Sequence, residues 1–550
     1  MKNKRLALGL AAGTAAAALA LAGCSTGGTP TPTATDSGPA SLAYPNAFRT
    51  GWQFDYPSQA NILTALYLTG SGSNDALYSN PAFDDLINKG LTASSFDEQT
   101  KYFGQAQEIL FQDLPAIPLW YSSLAGGFSS KVQNVQFGWD SWPLLEQVTK
   151  ADGSPVTAHW NEPENPLIPA NTNEVGGGLV LNNIFAGLVY YEADGSYHND
   201  VAESIESDDS QHWTIKIKSG QTFADGSPVT ADSFVKAWQW GASDPELLNQ
   251  WWFANIDGYS PDGGENTLAL KVVDDTTFTV DLVAPQADFP VSLGYTVFMP
   301  LPESFFADPD AFGQAPIGNG PYQIAPDSWI HDSRISLVPN PSYSGPRKPA
   351  NSQVDLVVYT SLDAAYADLL GDNLDILDQV PASALATFKK DLGDRAVEQA
   401  IAVFQSFTIM EGAPHFTGEE GKLRRAALSM AINRPEITDV IFQGTRTPAK
   451  DWTSPVIAGW SDSIPGSEVL DYNPDKAVEL WKQADAISPW SGTFQLAYNA
   501  DGGHQEWVDA TVNSIKNVLG IDAAGLPYPD FAGLRTEVND AKKAVRAAAG

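Results

Sequence analysis

Cys24 is the one residue whose immediate neighbours declare a chemistry unaided. It closes the run Leu21-Ala-Gly-Cys24, behind a basic start (Lys2, Lys4, Arg5) and an uncharged stretch from Leu6 to Ala22. That is the pattern of a lipoprotein signal, in which cleavage before the cysteine frees its thiol for thioether attachment of a diacylglyceryl group. Cys24 is also the only cysteine, so the chain has no internal disulfide, thiolate metal site or catalytic thiol elsewhere. The histidines (His159, His198, His212, His331, His415 and His504) are scattered without ligand spacing, which argues against a metal. No G-x-S-x-G, H-E-x-x-H, Walker or Rossmann pattern occurs, and turns such as Asp194-Gly195 lack the full calcium-loop pattern. Carboxylates are abundant, and spacing alone leaves open a glycosidase-type acid pair.

The elements that must position any site are those of a large exported protein. With 550 residues and 43% hydrophobic content the chain can form two or more domains around disulfide-free cores. A net charge of −35 argues against nucleic acid and against attraction of the body to an anionic membrane. Residues 25–44 have the Ser/Thr/Pro/Gly composition of a disordered tether. No later apolar run approaches membrane-spanning length. Phe48–Phe54 reads as a strand, and Glu98–Phe111 as a helix with Tyr102, Ala106, Ile109 and Leu110 on its inner face. Trp213-Thr-Ile-Lys-Ile-Lys alternates as a half-buried strand, and Thr230 caps a helix over Ala231–Trp240 with Phe234, Val235 and Trp238 inward. Leu423–Ile432 is a further helix. The mixture predicts an α/β fold.

Several longer motifs carry a resemblance. Trp160-Asn-Glu-Pro163, Phe185-Ala-Gly-Leu-Val-Tyr-Tyr191, Phe223-Ala-Asp-Gly-Ser-Pro-Val-Thr-Ala-Asp232, Gly318-Asn-Gly-Pro-Tyr322, Asn340-Pro-Ser-Tyr343 and Arg424-Arg-Ala-Ala-Leu-Ser-Met-Ala-Ile-Asn-Arg434 follow one another along the chain. Arg49-Thr-Gly-Trp-Gln-Phe-Asp-Tyr-Pro-Ser58, Tyr78-Ser-Asn-Pro81 and Ile117-Pro-Leu-Trp120 precede them. Together they resemble the extracytoplasmic oligopeptide- and dipeptide-binding proteins of ABC importers, solute-binding protein family 5. The family's closing motifs stand first here, and its pattern stops at Arg535-Thr-Glu-Val-Asn539, so the resemblance implies a circularly permuted order. The old ends would meet at Lys150-Ala-Asp-Gly-Ser154, and the new cut would fall in a polar, exposed segment of a kind that tolerates it.

The resemblance implies a two-lobed, periplasmic-binding-protein-like fold of the large class II, three-domain type. Its expected parts are a signal peptide (1–23), a tether (24–44), a first segment of lobe 2 (45–118), lobe 1 (119–400, with a smaller subdomain at about 190–305) and a second segment of lobe 2 (401–550). It further implies a monomeric, non-enzymatic receptor without cofactor, anchored by lipid at the outer face of a bacterial cell membrane. Such a receptor captures oligopeptides between its lobes and delivers them to an ABC permease with its ATPase subunits. On the same matching, Asp55 receives the peptide amine, though an Asp before Tyr-Pro also forms turns. Arg49 and His504 match positions for the peptide carboxylate, with a surface ion pair and a structural histidine as their plainer readings. Asn173 and Val175 lie in the segment matched to backbone pairing with the peptide. Trp52 and Trp251 fall near cleft-walling positions, where core packing is the ordinary alternative. Nickel chelates, oligosaccharides or opines as ligands of the same fold, and an exported hydrolase or interaction lipoprotein, remain the rival expectations.

Overall fold

A computed structural model describes residues 47–163 and 166–549. Cys24 and the tether therefore lie outside the described residues. Among those described, no helix is long and apolar enough to cross a membrane.

Four strands of one eleven-stranded sheet carry the architecture: β1 (Ala47–Gln53), β2 (Ala116–Phe128), β3 (Ala396–Thr408) and β4 (Phe494–Asn499). Their spatial order is β2-β3-β1-β4, so the first strand among the described residues sits inside the sheet. β1 is antiparallel to β3 (Phe48 opposite Thr408, Trp52 opposite Phe404) and parallel to β4 (Ala47 beside Leu496). Packing, not local sequence, stabilises such an arrangement, because both partners of β1 are hundreds of residues away.

β2 and β3 pair along most of their length, from Ala396 opposite Gly127 to Thr408 opposite Ala116. Their register shifts between Ala400 and Phe404, where the pairing bulges. On one side of the bulge Leu124 and Ile401 join a large core drawn from residues Leu124 to Ile401. On the other side Ala116, Tyr121, Ala402 and Phe404 join a second core built with Phe54, Phe83, Phe103 and Trp452. A third core, with Ile117, Trp120 and Phe407, packs against β4. One continuous strand pair thus feeds separate cores from its two ends, and a bulge is where such a pair bends.

The larger core also holds a four-stranded sheet whose strands lie between Ala202 and Asp281. There His212–Ile217 alternates as its sequence predicts, with Trp213, Ile215 and Ile217 buried. The helix after Thr230 runs Ala231–Ser243, and the Ser233 hydroxyl accepts the Thr230 backbone N–H at 3.2 Å. The helix expected over Glu98–Phe111 forms as Phe96–Asp113, but with its inner face rotated: Phe103 and Gln107 are buried beside Ala106 and Leu110, while Tyr102 and Ile109 are only partly covered. Gln107 is admitted because its Oε1 accepts the Trp452 backbone N–H at 2.9 Å.

Two helices complete the surroundings of the site. α1 (Val175–Ile184) begins at the cavity described below, and α2 (Phe531–Ala549) packs its Leu534, Val538 and Ala541 against Phe48 of β1 and Ala497 of β4.

Candidate ligand-binding cavity

The end of β1 hands the chain to a turn, Phe54-Asp-Tyr-Pro57, and then to a helix over Gln59–Tyr67 whose first amides are capped by Ser58. This short helix fixes the site through Asn61, which is buried. The Asn61 Oδ1 accepts the Trp52 indole N–H at 2.7 Å and the Asp55 backbone N–H at 3.3 Å, while its Nδ2 donates to Asp55 Oδ2 at 3.1 Å. One side-chain amide therefore sets the orientation of both the indole and the carboxyl.

Asp55 opens into a cavity of about 400 Å³, at the small end of ordinary ligand sites. The wall comes from both sides of the β2–β3 bulge: Gly51–Asp55, the segment Gly138–Glu146, Thr172–Val175 with the start of α1, Tyr190–Glu192, Trp251–Trp252, Gly294–Thr296 and Arg347. Aromatic rings form much of it. Trp252 lies between Trp251 (ring centroids 4.9 Å apart) and Tyr295 (4.5 Å), and Tyr56 meets its edge at 6.1 Å.

Burial pushes the Asp55 carboxyl up to about 7, and the Asn61 hydrogen bond only partly opposes that. The cause is loss of water without a cation in its place. Tyr191 and Tyr295 both lie in its field. Burial raises Asp140 to about 6, and Asp451, in the core behind, to about 7. For all three the folded value stands above the ordinary carboxyl value. The stability they contribute is therefore fully present below about pH 4 and is lost as pH rises through 6 to 7. The empty protein is expected to melt lower at about pH 8 than at about pH 5, and a bound cation at Asp55 should flatten that dependence. Thermal melts with and without ligand check this.

The structure brings Asp55, Trp52, Asn173, Val175 and Trp251 to this one cavity. Trp251 is 45% exposed, so it serves the wall and not the core. Asn173 and Val175 border the cavity differently from the extended run that pairing with a ligand strand suggests. Thr172 and Glu174 are extended, but Val175 already starts α1, and the three glycines after it are helical and buried. The Glu174 carboxylate accepts the Gly177 N–H at 2.8 Å, and the Gly176 carbonyl accepts the Trp160 indole N–H at 2.9 Å. The glycines are needed for closeness, since a Cβ on Gly176 would strike the Asn161 carbonyl.

Arg49 lies elsewhere. It lines a second cavity of about 210 Å³, which shares Gly51 and Trp52 with the first and is closed by α2. Its Nε donates to Asn499 Oδ1 at 2.7 Å, and its guanidinium sits 5.0 Å from the Phe531 ring centroid. His504 lines neither cavity; its Nδ1 accepts the Trp507 indole N–H at 3.1 Å. Among the described residues no group of three or more His, Cys, Asp or Glu side chains is placed to hold a metal ion. Sequence reasoning missed Asn61, Asp140, Glu146, Tyr191, Trp252 and Arg347. The sequence signals for them are the aromatic cluster Trp139-Asp-Ser-Trp-Pro143 around Asp140 and, for Tyr191, the motif Phe185–Tyr191 that it closes.

Residues 196–546 match the family described as bacterial extracellular solute-binding proteins, family 5 Middle. The oligopeptide-binding protein OppA of Bacillus subtilis is 28% identical over 381 residues, covering 65% of this chain and 67% of that protein. The periplasmic murein peptide-binding protein MppA of Escherichia coli is 25% identical over 391 residues, covering 68% and 70%. The unliganded open form of the MppA murein tripeptide-binding protein superposes with a TM-score of 0.54 at 25% identity, over 68% of this chain and 74% of that one. OppA of Burkholderia pseudomallei, at 21% identity, shares the fold with a TM-score of 0.53.

Proposed function

This chain belongs to the bacterial extracellular solute-binding proteins of family 5, which share a two-lobed α/β fold, and from that premise we propose that its cavity receives the free amino end of a short peptide. The observation that carries the proposal is Asp55: a carboxylate with a fixed orientation, facing an aromatic-walled cavity, with burial and no cation acting on it. A peptide ammonium supplies the missing charge, and in a dry site such a charge-assisted hydrogen bond is strong. Binding on this reading closes the lobes, about 45–118 with 401–543 against 119–400, about the bulge in β2 and β3. The buried Ser58 Oγ to Asp288 Oδ2 bond (2.8 Å) and the Ala287 N–H to Leu91 carbonyl bond (2.6 Å) join the two sets of residues and suit a closed form. The protein does no chemistry on its ligand; held outside the membrane by lipid on Cys24, it presents the peptide to an ABC permease.

The same reading makes the chain order a circular permutation. Its support is that β1 lies inside the sheet between β3 and β4, which come much later in the chain, while the family match starts only at residue 196. A reordered chain, with 151–550 placed before 45–150 through a short flexible joint, is expected to melt cooperatively and to bind the same ligand within about threefold, as expected when no contact is altered. A reordered chain that fails to fold overturns the permutation alone.

Native mass spectrometry of freshly purified residues 25–550 tests the function. Heterogeneous adducts of peptide mass that sequence as peptides are the expected result. A clean mass that stays unchanged after addition of di- to pentapeptides, in protein that melts cooperatively, overturns it.

A further inference from the structure

Charge divides the cavity wall unevenly. Among its ionisable lining residues are five carboxylates (Asp55, Asp140, Glu146, Glu174 and Glu192) and one cation, Arg347. The cation is already engaged: its Nε donates to Asp200 Oδ2 at 3.2 Å, and its two terminal nitrogens donate to the Asn182 and Phe185 carbonyls at 2.8 and 3.1 Å. Glu174 is committed to the start of α1. On the reading proposed above, Asp55 takes the peptide amine. Three carboxylates then remain on the wall beyond it.

Asp140 accepts a backbone N–H from Trp142 at 3.0 Å, and no cation contributes to its electrostatics. Asp140 and Asp55 adjoin the same backbone link: the Ala402 N–H donates to the Trp139 carbonyl at 2.8 Å and the Ala402 carbonyl accepts the Phe54 N–H at 3.0 Å, and the Tyr191 hydroxyl lies in the fields of both carboxyls. The Glu146 carboxyl, partly buried, is raised by its loss of water, an effect that Arg347 opposes and Glu192 adds to. A wall of this kind is costly when empty or when an anion enters, because like charges then share a low-dielectric space. An entering cation reverses the sign of the same term. The overall charge of −35 acts in the same direction at long range and favours encounter with cations.

We infer that the cavity selects peptides that carry a basic side chain close to their amino end, received by Asp140 and Glu146, and discriminates against peptides with an acidic side chain there. The inference rests on the peptide-receptor reading and adds the charge of the ligand to it.

Calorimetric titration of the lipid-free mature chain with Ala-Lys-Ala, Ala-Ala-Ala and Ala-Glu-Ala at neutral pH and physiological salt tests it. The lysine peptide is expected to bind about ten- to a hundredfold tighter than the alanine peptide, the usual range for a hydrogen bond to a charged group, with the glutamate peptide weakest. In Asp140→Asn combined with Glu146→Gln the gap between the lysine and glutamate peptides should shrink at least tenfold. If that variant melts without cooperativity, the single Glu146→Gln variant and the wild-type peptide series decide. Equal affinity for all three peptides overturns the charge selection and leaves the peptide receptor standing. No binding of any peptide, with tight binding of a linear polyamine, overturns the peptide receptor itself.

Discussion

Asp55→Asn is expected to weaken the binding of any free-amine peptide roughly a hundred- to a thousandfold, about 3–4 kcal/mol, the usual cost of breaking a buried charge pair. Asn keeps the shape of Asp and the hydrogen bond to Asn61, so melting at about pH 5 should change little, and the loss of stability towards pH 8 should shrink, while the attraction for an ammonium is lost. An N-acetylated peptide should lose as much against the wild-type protein, and the two losses should not add, because both delete the same pair. The pH profile gives a second reading. Asp55, raised to about 7 when the cavity is empty, must release a proton to hold the ammonium. Affinity should therefore fall about tenfold per unit below pH 7, and fall again above about pH 8 as the peptide amine deprotonates. Unchanged affinity in Asp55→Asn, or an acetylated peptide that binds as well as a free one, would remove Asp55 from the site.

Arg434→Ala should cost about 3–5 kcal/mol of stability, the range for a buried charged group whose partners are left behind. The guanidinium is 1% exposed and serves as a four-way junction: Nε to the Pro118 carbonyl (2.8 Å), Nη1 to the Ser429 (2.9 Å) and Leu470 (2.6 Å) carbonyls, and Nη2 to Ser429 Oγ (2.9 Å). It thereby ties β2 to the helix Gly418–Met430 and to the turn Ser467–Leu470. Burial lowers its basicity to about 9, so the site tolerates the charge only through those acceptors. Alanine leaves three carbonyls and a hydroxyl dry and without that donor. Lysine cannot replace the fork, since an ammonium lacks its planar geometry. Chemical denaturation checks the loss, and a variant as stable as wild type would show that water or a neighbouring donor fills the junction. Because Arg434 lines neither cavity, protein that still folds should keep its peptide affinity.

The residues matched to the family divide instructively. Asp55 and Trp52 were legible because they sit in one short run, and local spacing survives folding. Arg49 belongs to the same run, yet its guanidinium is held by Asn499 of β4 and the Phe531 ring at the start of α2, contacts that no local spacing reveals, in a separate compartment. Asn173 and Val175 border the cavity, but Gly176–Gly178 behind them are helical and do not continue an extended run. Glycine spacing does not reveal that Glu174 supplies the cap that makes those residues helical.

By itself the sequence determined whatever depends on neighbours a few residues apart: the alternation of His212–Ile217, the helix after Thr230 and the local motifs that led to the family. Tertiary structure decided what depends on enclosure. Gln107 is buried because Trp452, hundreds of residues later, offers it a hydrogen bond, and no periodicity anticipates such a partner. Asp140, Glu146 and Arg347 look like ordinary surface charges in the chain. They come to share the wall of one small cavity only because distant segments fold around it.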